Sequence, residues 1–414
     1  MKRILISMAL AAGVMTYAGG FRVSLQGVKQ LAMAHTSAHA EDASVAFFNP
    51  AGISFIPSKL SVAAGGFGIS NQITYQNTST LQQTETDNPL GTPVYAAIAY
   101  KVLDNLSVGF SFSTPFGSTI EWPNDWEGKE MVQKMELKSY MFQPMVSLKL
   151  APWASFGASY IYAKGKVDWT KALTAYNGQL NLLDDNATGH GFGFGFYFQP
   201  DDKWDVSVAY RSPVDMKAKK GKATFMVPTS LYPNLNLVST GGVDNFKATL
   251  PLVDEYTLGL TYKITPKWLV SADYNYHGWE RYSKLTLTFE NAPAAAATNP
   301  SNPKVSTTPK NFKNTSSVRV GTQYAFNDLI VGRLGWYYDE TPYADKDFIP
   351  ETPSFDNYVI TGGIGLKFNK LGVDISGAYA MPKSRTFNNA YYNFAGQAKA
   401  DVFYFGLGLS YNAF

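Results

Sequence analysis

The chain has 414 residues, no cysteine, and 35 basic against 32 acidic side chains, for a formal charge of +3. The missing cysteines exclude a disulfide scaffold, a thiolate metal site and a cysteine nucleophile, and the near-balanced charge gives no electrostatic case for nucleic acid. Beyond the N-terminus no run of about eighteen apolar residues occurs, so helical membrane spans are excluded, yet aromatic residues make up 15% of the chain.

Lys2 and Arg3 precede an apolar stretch from Ile4 to Val14, and Thr16-Tyr17-Ala18 supplies a small-residue exit. That order predicts a removable signal peptide over 1–18, cut after Ala18. Loss of Lys2 and Arg3 takes the charge from +3 to +1. Residues 25–43 are alanine-rich with no proline, and glycine only at Gly27, which predicts helix. His35 and His39, four apart with Glu41 and Asp42 nearby, could begin a metal site. Without a third placed ligand they read as polar surface on that helix, so no metal and no cofactor are expected.

Residues 45–56 run V-A-F-F-N-P-A-G-I-S-F-I. Pro50 fixes its own φ, lacks a donor and pushes Asn49 out of the helical region, while Asn49 can close a local turn, so Asn49-Pro50-Ala51 is a hard stop. Phe47, Phe48, Ile53, Phe55 and Ile56 argue against a solvated tail. The segment 19–56 is therefore expected to plug a lumen as a partly helical hatch.

From residue 60 onward, alternation with a period of two recurs. Leu106, Val108, Phe110 and Phe112 alternate with small polar residues, and Phe192, Phe194, Phe196 and Phe198 with glycine or tyrosine. Only a half-buried strand presents such a face. About 14 segments follow this pattern, with starts near 60, 94, 106, 138, 156, 191, 204, 255, 267, 315, 329, 357, 373 and 402. Short turns alternate with long loops at 70–93, 114–137, 164–190, 213–254, 290–314, 339–356 and 380–401. The pattern predicts an all-β fold, a transmembrane antiparallel β-barrel over 57–414 in the bacterial outer membrane, with the hatch in its lumen. Trp204, Tyr210, Tyr262, Trp268, Tyr324 and Tyr411 fall at strand ends, as interfacial girdles would. Phe414 closes the chain with a further aromatic.

Pro115 and Gly117 are poor ladder residues, so the third strand is expected to kink or end early at Thr114-Pro115-Phe116-Gly117. In loop 164–190, Leu173, Tyr176, Leu180 and Leu183 stand at helical spacing, giving either a binding face or packing against the apolar loop 213–254. The glycines of G-H-G-F-G-F-G-F have a period of two, so they read as lumen-facing positions that leave room. Residues 291–310 read as a solvated loop tip.

The stretch G-F-R-V-S-L-Q-G through D-A-S-V-A-F-F-N-P-A-G, followed in order by S-T-P-F-G, Y-R-S, L-P-L, N-F-K-N and D-E-T-P, resembles the FadL-type outer-membrane transporters of long-chain fatty acids and hydrocarbons. The chain departs from their pattern at Lys29-Gln30-Leu31, where glycines are expected, and at 353–357, which lacks an arginine. The resemblance implies passive uptake of an apolar or amphipathic molecule, gated by the hatch, with lateral exit at the third strand through an unpaired gap between strands three and four, close to Asn49-Pro50-Ala51. It places Lys313 near a bound ligand, with Arg211 and Arg319 near strand ends. Either these cations hold an acidic head group or all three pair with carboxylates inside the barrel. Expected partners are the hydrophobic ligand, outer-membrane lipid and lipopolysaccharide, and the barrel-assembly machinery, with no nucleic acid and a monomeric barrel. The segment from Gly19 to about Gln30 is the cheapest to displace, and its movement should open a path past Phe47 and Phe48 toward Pro115.

No enzyme is expected, and G-x-S-x-G does not occur. Two other classes remain open. A lipid hydrolase would use His277, the one histidine at an extracellular strand end, and an adhesin or structural barrel would keep its plug shut.

Overall fold

The computed structural model describes residues 20–23, 26–294 and 301–413. The signal peptide and Phe414 lie outside the described residues. Fourteen antiparallel strands form the wall: β1 (Leu60–Gln76), β2 (Val94–Leu103), β3 (Leu106–Ser113), β4 (Lys134–Ala151), β5 (Ala154–Leu173), β6 (Gly178–Phe198), β7 (Trp204–Arg211), β8 (Glu255–Thr265), β9 (Trp268–His277), β10 (Thr315–Ala325), β11 (Ile330–Asp339), β12 (Asn357–Phe368), β13 (Leu371–Pro382) and β14 (Phe394–Ala413). Each pairs with the next, and β14 closes the ring on β1 from Leu60↔Ala413 to Gln76↔Gln397. Closure leaves no edge for lipid to solvate.

The expected starts agree with the observed ones except where strands run beyond the membrane. A tilted span needs about 9–11 residues, whereas β5 has 20 and β6 has 21. The predicted loop 164–190 is therefore mostly strand, turning only at Thr174–Tyr176. Its leucines do not share a helical face. Leu173 and Leu180 are buried, Tyr176 packs partly against the same core, and Leu183 is only half-buried. The helix-like spacing arises because these residues fall on two strands and the turn between them.

Outside the ring, residues Val214–Met226 pair with both the upper part of β6 and Val243–Leu252, which meets Lys284–Phe289, itself paired with Val305–Pro309. These added strands raise the wall on the extracellular side. At the opposite rim Trp204 stacks near Tyr262 at 4.6 Å, and Trp268 is the register partner of Tyr324. Together with exposed Tyr411 they form the expected girdle.

The N-terminal segment lies inside the ring. Among its described residues only Val28–Ala32 is α-helical, a correction to the longer helix expected over 25–43. Ala34 and His35 take left-handed φ values of 58° and 60°, ending the helix, and the wall supplies hydrogen bonds instead. Ala34 N–H donates to Thr361 Oγ1 at 3.1 Å, Ser37 N–H to Asp273 at 3.0 Å, Ala40 N–H to the Tyr197 hydroxyl at 3.1 Å and Ala43 N–H to Ser61 Oγ at 2.8 Å. These partners come from β12, β9, β6 and β1, so the segment touches much of the circumference. His35 is buried beside Tyr337 and His39 sits 3.1 Å from Asp205, so neither is the surface histidine expected.

Candidate functional site

The hard stop at Asn49-Pro50-Ala51 is a capped 3-10 helix, Pro50–Phe55. The Asn49 side-chain oxygen accepts from Ala51 N–H at 2.9 Å, and its amide donates to Phe196 O and Ser207 Oγ, both at 2.9 Å. Ala51 O accepts from Ser147 and Ser155 hydroxyls at 3.0 and 2.8 Å. Glycines admit this turn to the wall. A Cβ on Gly157 would lie 2.3 Å from Ala51 N, and one on Gly195 2.3 Å from Asn49 Oδ1. Of the G-H-G-F-G-F-G-F glycines, Gly195 leaves room for the N-terminal segment, while Gly189 and Gly191 lie against Val214 and Gly193 against Ser159.

Near Pro115 the third strand does end early, at Ser113. Pairing with β4 is not lost, however. It passes from Ser113↔Met141 to Gly117↔Lys138 with one extra residue on the β3 side, and Ser139 N–H donates to Phe116 O at 3.0 Å. The expected gap between strands three and four is instead a bulge, because Pro115 interrupts one position and the Phe116 carbonyl resumes the ladder. The departure shows on the other edge. There the hatch takes the place of β2: Val23 N–H donates to Pro115 O at 2.7 Å and Gly117 N–H to Phe21 O at 3.0 Å. Nor is Asn49-Pro50-Ala51 close by. Ser147, which holds Ala51, is six residues along β4 from Met141, roughly 20 Å at strand spacing. Phe47 is nearer, its ring 5.4 Å from that of Tyr95, the register partner of Ser113, and Phe48 is half-buried beside it.

Above the bulge lies a cavity of about 90 Å³. Inward-facing Leu137, Trp169 and Leu182 of β4–β6 form one side, and Met216, Phe246 and Leu285 of the added strands another. Loops 164–190 and 213–254 therefore both pack on each other and enclose a space. The hatch supplies the floor. Phe21, 2% exposed, lines the cavity and packs its ring 4.9 Å from Trp279 and 5.7 Å from Tyr282. Arg22 beside it is held to Glu255 at 2.5 Å, and Glu255 also lies 3.5 Å from His277.

The cationic residues are not arranged as expected. Lys313 is exposed and lines no part of the cavity. Lys310, three residues earlier, is the buried one, 1% exposed and 2.5 Å from Glu351, itself 3% exposed. Its stretch 291–310 is accordingly not a solvated tip throughout. Burial alone would lower the Lys310 ammonium, but the Glu351 carboxylate, aided by Tyr392 and Tyr282, holds it above the ordinary lysine range. Arg211 and Arg319 tie down the hatch. Arg211 donates to Phe47 O at 2.5 Å, and Arg319 reaches Ala34 O at 3.5 Å while covering the Tyr337 ring. The segment 353–357, which lacks an arginine of its own, is held by Arg385, which donates to Ser354 O at 2.7 Å.

Phe21 lies within the quoted G-F-R-V-S-L-Q-G stretch, but nothing local marks it as a cavity residue. Lys310 and Glu351 meet across 41 residues of sequence, and no local signal joins them.

A closed ring of this strand number, with an internal N-terminal segment and an apolar extracellular cavity, agrees with the comparison of sequences. Residues 8–413 match the profile of a family described as outer membrane protein transport protein (OMPP1/FadL/TodX). The chain belongs to this family. Among curated proteins it is 23% identical to the long-chain fatty acid transport protein of Salmonella typhi, over 96% of each chain. Among solved structures it resembles a Pseudomonas aeruginosa FadL homologue, with TM-score 0.80 and 18% identity over 97% of this chain and 100% of that one. It also resembles the Pseudomonas putida toluene transporter TodX, with TM-score 0.72 and 14% identity over 95% and 99%. This family member is a transmembrane β-barrel of the outer membrane.

Proposed function

We propose that the chain carries hydrophobic small molecules, fatty acids or hydrocarbons such as those named for its relatives, passively across the outer membrane. The ligand enters the extracellular cavity, shifts the hatch and leaves sideways beside the bulge of β3. Residues 1–18 act as the signal peptide, 19–56 as the movable hatch and 57–414 as the barrel.

One observation carries the gating step. Phe21 is at once part of the cavity lining and part of the short strand that covers the free edge at Pro115 and Gly117. A molecule in the cavity touches the cover itself. It can shift the closed state only by binding the open one more tightly, and contact with Phe21 provides that difference. Displacing residues 20–23 breaks two backbone hydrogen bonds, the Gly20 N–H to Ser354 Oγ bond and the Arg22–Glu255 pair. Moving a wall strand would break far more.

Arg22 and Phe116 are directly opposed in a non-hydrogen-bonded pair, the arrangement whose Cα separation of about 4.5 Å a disulfide can span. The double variant Arg22→Cys/Phe116→Cys should take up ligand when reduced and stop when oxidised. Equal uptake in both states would mean that this cover is not the gate.

A further inference from the structure

On the reading of the cavity as the ligand site, its polar end specifies the ligand's charge. Lys138 and Lys166 adjoin the cavity but alternate with inward-facing Leu137 and Val167, and both bond Glu136, at 2.5 and 2.8 Å. The ammonium that ends within the lining is that of Lys310, already matched by Glu351. The two charges are buried together, so the end of the cavity is close to neutral. An incoming carboxylate would lose its hydration and meet Glu351 as well as Lys310, and attraction and repulsion would largely cancel.

Two further atoms describe what would be accepted. Glu351 Oε2 and Thr352 Oγ1 are buried, belong to residues lining the cavity, and have no hydrogen-bond partner among the described residues. Lys310 holds the other carboxylate oxygen, Oε1. A carboxylate oxygen only accepts, so Oε2 calls for a donor. Leaving such an acceptor unpaired in an apolar enclosure is costly, and a ligand that supplies an O–H or N–H removes that cost.

We propose that this transporter selects uncharged amphipathic molecules whose polar end donates a hydrogen bond, such as a long-chain alcohol or an alkylated phenol, over carboxylates of the same chain length. Glu351 is the residue that sets the preference, rejecting anions by its charge and receiving the donor at Oε2.

The test uses the full mature chain in detergent, with direct binding of 1-dodecanol and of dodecanoate measured at a pH where the acid is ionised. The wild type should bind dodecanol about tenfold or more tighter than dodecanoate. Glu351→Gln, which leaves Lys310 uncompensated, should raise dodecanoate affinity about tenfold and largely erase the preference for dodecanol. The paired variant Lys310→Met/Glu351→Met, with no buried charge and no acceptor in place of Oε2, should bind dodecanol about tenfold more weakly and lose most of the preference, and it serves if the single variant fails to fold. Tighter binding of dodecanoate than dodecanol by the wild type would overturn the charge preference alone. Binding of neither probe would overturn the cavity's role as the ligand site, and the preference with it.

Discussion

At the scale of single residues, the cost of a substitution follows from what the side chain leaves behind. Lys310→Ala would strand Glu351 as a buried, unpaired charge, so a loss of about 3–5 kcal/mol of stability is expected. Lys313→Ala, at an exposed position, should stay within about 0.5 kcal/mol. Thermal unfolding of the two variants in detergent checks the contrast. The raised affinity of Lys310 for its proton also sets a pH dependence. A group with an elevated folded-state value contributes fully below the ordinary lysine value, about 10.4, and loses its contribution only as pH climbs through the higher folded one. The wild-type minus Lys310→Ala difference should therefore be flat from about pH 6 to about pH 9 and shrink only in strong alkali. A difference that fell near neutrality would contradict the pairing. Asn49→Ala removes the cap of a short helix together with donors to Phe196 O and Ser207 Oγ. A loss of about 1–3 kcal/mol is expected, visible as a lower temperature for the heat-induced mobility shift of the folded barrel.

At the scale of elements, strands were legible and their heights were not. Period-two alternation survives wherever one face meets lipid and the other the lumen, so the starts of β1, β2, β3, β7 and β8 fall on the expected residues. Above the membrane both faces can be mixed, and Leu173, Leu180 and Leu183 lose that signature while their backbone stays extended. The hatch was misread for a related reason. Alanine content predicts helix, but Ala34 and His35 are held in left-handed conformations by wall partners far away in sequence. Asn49-Pro50-Ala51 was readable because its constraint is local, whereas the Lys310–Glu351 end of the cavity exists only once the barrel has closed. The fit between hatch and wall is itself testable. Gly157→Val would drive a side chain against Ala51 N, 2.3 Å from the added Cβ. The barrel should still assemble, but single-channel conductance in planar bilayers should rise as the 3-10 turn is pushed from its seat. Unchanged conductance would show that the hatch is anchored chiefly elsewhere.

At the scale of the whole molecule, the strands assign separate tasks to separate heights. The lower ring, girdled by Trp204, Tyr262, Trp268 and Tyr324, spans hydrocarbon and holds the helical part of the hatch. The upper ring, built by β5, β6 and the four added strands, holds the cavity. Phe21 sits where the two meet. The unusual length of β5 and β6 has a consequence for where a greasy solute becomes scarce. The outermost layer of such a membrane is a hydrated sugar coat, in which an apolar molecule has little solubility and through which it diffuses poorly. A wall that ends flush with the hydrocarbon would leave its mouth beneath that coat, waiting for solute already depleted by it. On the proposed function, the apolar lining carried upward by the long strands would meet the solute within the coat. Strand length, more than lumen width, would then govern the flux at low external concentration.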